Sequence, residues 1–131
     1  MGFWIYMLVI SLLIPAIMLM AGCFMVKCPP RKINAIIGYR TNRSMQNMET
    51  WRFAHGVAGK FWMKWGAIAL LPSGVVMALF RGQSQDTLAC VGLGLTVLQF
   101  IPLLAVAPVT ERALDRTFDE NGRRKTEQQE K

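Results

Sequence analysis

Two long stretches without a single charge decide what this chain can become. Residues 2–26 hold no Asp, Glu, Lys, Arg or His over 25 positions, and residues 87–110 hold none over 24. A helix of about 20 apolar residues, rising about 1.5 Å per residue, crosses the hydrocarbon core of a bilayer. Each stretch is therefore a transmembrane helix by length and composition. The chain has 131 residues, 53% hydrophobic and 18% charged. Those two runs alone take up more than a third of it. This excludes an ordinary soluble enzyme, a secreted disulfide scaffold and a disordered chain.

A third apolar run reaches from Trp65 to Phe80 and becomes 20 residues long when extended back to Phe61, with Lys64 inside. A lysine one turn from a helix end can carry its ammonium out to the head groups, and Phe61, Trp62 and Trp65 form an interfacial aromatic cluster. The reading is an all-α membrane protein with three spans, about 3–26, 61–80 and 87–110. They make up one membrane domain over residues 1–122, with a loop at 27–60 and a charged tail, 123–131, expected to be disordered.

The formal charge is +7, and all of it lies in one segment. Residues 27–64 carry eight Lys/Arg against the single acid Glu49, whereas 81–86 and 111–131 each sum to zero. Basic residues beside apolar spans are retained in the cytoplasm, and this accounts for the charge better than nucleic-acid binding does. Three spans place 27–64 and the tail on the same side, with 14 Lys/Arg, against Arg81 on the other. The expected topology is therefore a multi-pass protein of the bacterial inner membrane, N-terminus outside and C-terminus cytoplasmic, touching lipid that includes anionic head groups. Met20-Ala21-Gly22-Cys23 looks like a lipoprotein cleavage site, but the run has no positive n-region and is too long for a signal peptide. Cleavage there would also leave the basic segment outside.

The spans are chemically sparse. An ion-coupled carrier usually needs an ionisable group at membrane depth, and these cores have none beyond Lys64 at an end. Their most polar residues are Ser11, Ser73, Thr96 and Gln99. Thr96 and Gln99 share a face near the middle of the third span, where an interhelical hydrogen bond is the simplest role. Pro15, Pro72 and Pro102 sit away from span ends, each removing a backbone donor. Gly74-x-x-x-Ala78, Gly92 and Gly94 suit close packing within the chain or in a homo-oligomer. Cys23 and Cys90 read as small buried hydrophobes and Cys28 as a residue at the exit of the first span. Neither a disulfide, a metal site nor a cofactor is expected.

The segment between the first two spans carries the information. Pro29-Pro30 ends the first helix. Ile33, Ile36 and Ile37 form an apolar patch, Gly38-Tyr39-Arg40-Thr41 is a turn with Gly38 free to take positive φ, and Ser44 or Asn47 is an N-cap. From Met48 the spacing turns helical: Trp51, Ala54, Ala58, Phe61 and Trp65 share one face, with Arg52, Lys60 and Lys64 on another. This describes an amphipathic segment at the membrane surface leading into the second span, with Gly56 and Gly59 as places to bend. Glu49 has Arg52 or Arg40 as candidate partners. His55, the only histidine, titrates near neutral pH in the unperturbed state, but no second His, Cys or Asp accompanies it to make a catalytic or metal constellation.

Lys32-Ile33-Asn34, Ile37-Gly38-Tyr39-Arg40-Thr41, Ser44, Trp51 and Ala54-His55 together resemble the signature of the SdpI family of small bacterial membrane proteins, named for an immunity and signalling protein against a secreted toxic peptide. In that family a G-[YF]-R-[ST] turn precedes a Trp by about ten residues, between two spans. Gly38, Tyr39, Arg40, Thr41 and Trp51 hold those places, and the likeness is closest over residues 28–65. It implies a non-enzymatic membrane module acting in toxin-peptide immunity or signalling through its basic loop. Its partner would be a cytoplasmic protein or a toxic peptide, and its partner or ligand candidates Asn34, Gly38, Tyr39, Arg40, Thr41, Glu49, Trp51 and His55. A small transporter or channel subunit is the alternative.

Beyond the third span, Leu114 and Phe118 extend the helix, and Asp119-Glu120-Asn121-Gly122 supplies its stop. That stretch is too incomplete to be a calcium loop.

Overall fold

A computed structural model describes residues 2–34, 36 and 38–126. Ile37 of the expected apolar patch and residues 127–131 of the expected tail lie outside the described residues. The described residues form three helices, α1 (Gly2–Lys27), α2 (Met48–Leu79) and α3 (Gln85–Thr117). All three are long and apolar enough to cross a membrane. The protein is an all-α, multi-pass membrane protein.

Local chemistry sets the helix ends. α1 stops at Lys27, two residues before Pro29-Pro30, which have no N–H to continue it. Asn47 caps α2: its Oδ1 accepts the Thr50 N–H at 2.8 Å, and Thr50 Oγ1 accepts the Asn47 N–H at 3.1 Å. Ser84 Oγ accepts the Thr87 N–H at 3.3 Å at the start of α3. α2 runs without a break through Gly56 and Gly59, where a bend was expected. Gly59 is buried against α1, whereas Gly56 has no close neighbour.

The chain divides into two compact units, Met1–Ala21 with Trp62–Leu104 and Gly22–Phe61 with Ala105–Lys131. In the first, Met7, Met77 and Leu88 form a small buried cluster, but many large apolar side chains point outwards. Ile5, Val9, Leu13 and Ile17 form an exposed stripe along α1, matched by Leu71 and Val75 on α2 and Leu93, Val97, Ile101 and Leu104 on α3. Ser11, Ser73 and Gln99 are buried instead. This reverses the arrangement of a water-soluble protein and matches a lipid solvent, which favours apolar surface and leaves polar groups to find partners inside.

Gln99 is the hub of that interior. Its Nε2 donates to the Ser11 backbone carbonyl at 2.9 Å and to Ser73 Oγ at 2.8 Å. The Ser11 carbonyl is the one that Pro15, four residues on, has no N–H to serve. One side chain thus repairs a proline defect in α1 and ties α3 to both other helices. Thr96, by contrast, bonds within its own helix, to the Gly92 carbonyl at 2.9 Å. The Trp4 indole donates to the Met77 carbonyl at 2.8 Å, near the C-terminal end of α2.

Close packing falls on Gly92, as expected, where a Cβ would overlap the Met7 side chain, and also on Gly66, which was not expected. A Cβ on Gly66 would meet the Leu19 nitrogen at 2.9 Å and the Pro15 oxygen at 3.0 Å, whereas Gly74 and Gly94 face open or ordinary space. Cys90 is exposed and Cys23 half-buried, rather than both buried. Lipid solvates a small thiol as readily as a protein core does, so neither needs covering.

Candidate functional site

The second unit holds the basic segment, folded into a clasp on the first turns of α2. Trp51, Ala54, His55 and Ala58, at helical spacing, have no solvent exposure. Their apolar face, expected to lie along a membrane surface, is covered by protein. Ala54 packs in a cluster with Leu114 and Phe118, flanked by Tyr39 and Phe53. Phe53 meets Phe118 edge-on at 5.3 Å between ring centres.

His55 is the pin of the clasp. Its Nδ1 lies 2.7 Å from the Trp51 carbonyl oxygen, an acceptor, so Nδ1 carries the hydrogen. Its Nε2 then accepts the Tyr39 backbone N–H at 3.1 Å. Both ring nitrogens are occupied in a neutral imidazole that a proton would disrupt, because Nε2–H and Tyr39 N–H would then face each other as donors. Burial lowers the His55 pKa below its ordinary value, against the weaker opposing pull of the Trp51 carbonyl. His55 lies six residues before the apolar stretch that opens at Phe61.

The turn reaches His55 because Gly38 has φ +102°, and a Cβ there would overlap the imidazole. Glycine meets both demands at once. Thr41 and Ser44 close the next turn reciprocally: the Thr41 N–H donates to Ser44 Oγ at 2.9 Å and the Ser44 N–H to Thr41 Oγ1 at 3.2 Å. Thr50 Oγ1 lies 3.1 Å from the Ser44 carbonyl. The Trp51 indole donates to the Pro30 carbonyl at 2.9 Å, anchoring the proline exit of α1 to α2. Its ring lies 4.3 Å from that of His55.

The far wall of the clasp comes from the end of α3 and the segment after it. Tyr39 Oη donates to Glu111 Oε1 at 2.9 Å. Burial first, and the Glu111 carboxylate second, raise its pKa, so the phenol keeps its proton. Arg43 pairs with Asp115 at 2.9 Å and reaches the Phe118 carbonyl at 3.3 Å. Gln46 and Asn47 donate to the Glu120 and Gly122 carbonyls at 2.7 and 2.8 Å. Glu49 pairs with Arg124, a partner not weighed from sequence. Residues 123–126 of the expected disordered tail are thus partly held in place. The Asp119 and Arg123 backbones are hydrogen-bonded, and Phe118 and Arg124 form an isolated bridge.

The candidates read from sequence now separate by position. Gly38, Tyr39, Thr41, Trp51 and His55 build the clasp, and Trp51 and His55 are sealed inside it. Asn34 forms a local turn, its Oδ1 accepting the Ile36 N–H at 3.0 Å. Arg40 and Glu49 are exposed. Glu49 and His55 are six residues apart on one helix, about 120° around it at 100° per residue. The one is at the surface and the other buried, so they do not form an acid–base pair. Sequence reasoning missed Glu111, Asp115 and Arg124. The available signal was a run of charges on α3 at steps of three and four, interleaved with Leu114 and Phe118.

A sequence model described as the SdpI/YfhL protein family matches residues 31–110. The protein YfhL of Bacillus subtilis (strain 168), described as uncharacterized, is 32% identical over 94 residues, covering 72% of this chain and 72% of that protein. No solved structure matches.

Proposed function

This chain belongs to the SdpI/YfhL protein family, and we propose that it is a non-enzymatic module of the bacterial inner membrane acting in toxin-peptide immunity or signalling. In this reading the N-terminus is outside and the basic segment and C-terminus are cytoplasmic, which the concentration of Lys and Arg in residues 27–64 supports. The clasp presents its exposed rim, with Arg40, to a cytoplasmic protein partner, or shifts when the spans meet a peptide.

The observation that carries this reading is the commitment of His55. Its two nitrogens hold backbone groups, and Glu49, the one acid of the segment, is spent on Arg124. The two residues that an interfacial enzyme would use are already structural, whereas Gly38 and Arg40 of the family's turn are exposed. Pull-down from membranes of cells expressing the full chain tests this. Arg40→Ala should lose a partner that wild type retains, and identical partner sets would refute the role of the loop. Cysteine labelling of exposed Asn42→Cys from outside intact cells should fail, and labelling there would overturn the orientation.

One observation favours the alternative of a small transporter or channel subunit. Gln99 Oε1 and Ser11 Oγ are buried without a partner beside the Ser73 contact. That reading requires flux in liposomes that Gln99→Leu abolishes.

A further inference from the structure

The Trp51–Pro30 hydrogen bond has a second consequence. By drawing the proline exit of α1 onto α2, it gathers Lys27, Arg31 and Arg52 around a cavity of about 460 Å³, closed by Cys28, Pro29 and Pro30. The three cations come from the last turn of α1, the loop and the first turns of α2. No carboxylate lines the cavity, and among the described residues none pairs with these three side chains. Glu49, one turn from Arg52 on the same helix, is held by Arg124 instead. Proline walls supply neither a hydrogen-bond donor nor a charge.

Three like charges held around one cavity repel one another, an arrangement that an anion relieves. Several features point to a phosphate group. Guanidinium forks match its oxygens, and lysine adds a point charge. The location selects the source of that phosphate. Lys27 ends a charge-free run of 25 residues, so the cavity lies where a membrane span gives way to the head-group layer. Phe24, one turn earlier on the same face of α1, is exposed and offers an apolar surface to an acyl chain. We infer that Lys27, Arg31 and Arg52 form a binding site for the phosphate of an anionic membrane phospholipid. The site does not depend on which leaflet faces the cytoplasm, and it stands apart from the partner-binding role of the loop.

The test uses the full chain in nanodiscs of zwitterionic lipid, with phosphatidylglycerol titrated in and bound lipid counted by native mass spectrometry. Wild type should retain one phosphatidylglycerol per chain. Arg31→Gln with Arg52→Gln should bind about thirtyfold more weakly, from roughly a fivefold loss per cation near a membrane surface. Lys60→Gln with Arg112→Gln removes the same charge elsewhere and should change binding less than about threefold. Equal losses in the two double variants would reduce the effect to bulk charge and overturn the site. Retention of the lipid by the Arg31/Arg52 variant would overturn it as well. Displacement of the lipid by millimolar inorganic phosphate would show that the cavity takes free phosphate, refuting the lipid assignment.

Discussion

Replacing Gly38 by alanine tests the clasp at its tightest point. Two costs add there. Alanine at φ +102° is strained by about 1–2 kcal/mol, and its Cβ would overlap the His55 ring. Moving the ring breaks the Tyr39 N–H bond to Nε2 and leaves part-buried donor and acceptor unpaired, at about 1–3 kcal/mol. The expected loss is about 2–5 kcal/mol. The fold contains its own control. Gly82 has nearly the same φ, +89°, with nothing within 4 Å of a Cβ, so Gly82→Ala should cost only the strain, about 1–2 kcal/mol. Unfolding in mild detergent titrated with SDS, followed by far-UV circular dichroism, measures both. His55→Ala should make room for the new methyl, so Gly38→Ala combined with His55→Ala should lose less than the two singles together, by about 1 kcal/mol or more. Equal losses for Gly38→Ala and Gly82→Ala, or strict additivity in the cycle, would refute the contact.

Further outcomes follow from the same geometry. His55 takes up its proton at lower pH folded than unfolded. The unfolded chain therefore binds more protons as pH falls below about 6.5, and stability should be flat above pH 7 and decline towards pH 5. His55→Gln should remove that part of the slope, and parallel curves would contradict the assignment. Gln99→Leu strips donors from the Ser11 carbonyl and Ser73, and should cost about 1–3 kcal/mol in the same unfolding assay. Gly59→Ala places a Cβ 2.8 Å from the Gly22 carbonyl oxygen and should destabilise by about 1–3 kcal/mol. Gly56→Ala meets nothing within 4 Å and should stabilise α2 by up to about 1 kcal/mol. Glu49→Gln breaks an ion pair whose side chains are 40% and 44% exposed, so it should change stability by less than about 1 kcal/mol and leave the resistance or signalling phenotype intact. Loss of that phenotype with the fold preserved would return Glu49 to the functional residues.

The spans, the Asn47 cap and the positive φ of Gly38 were legible in the chain because each depends on neighbours within a turn or two, or on the solvent alone. A run of 25 uncharged residues partitions into lipid whatever else the chain does. Asn47 caps α2 through a residue three positions away, and Pro29-Pro30 ends α1 for want of an N–H. Tertiary structure decided what those elements meet. Nothing local says that Glu49 will find Arg124 at a separation of 75 residues, that Gln99 will serve the carbonyl orphaned by Pro15, or that Ala54, on the face it shares with Trp51 and Ala58, will pack against Leu114 and Phe118 rather than lipid. Amphipathic spacing records only that a face avoids water. In a protein with two apolar surroundings, its own interior and the bilayer, the long-range contacts alone select between them.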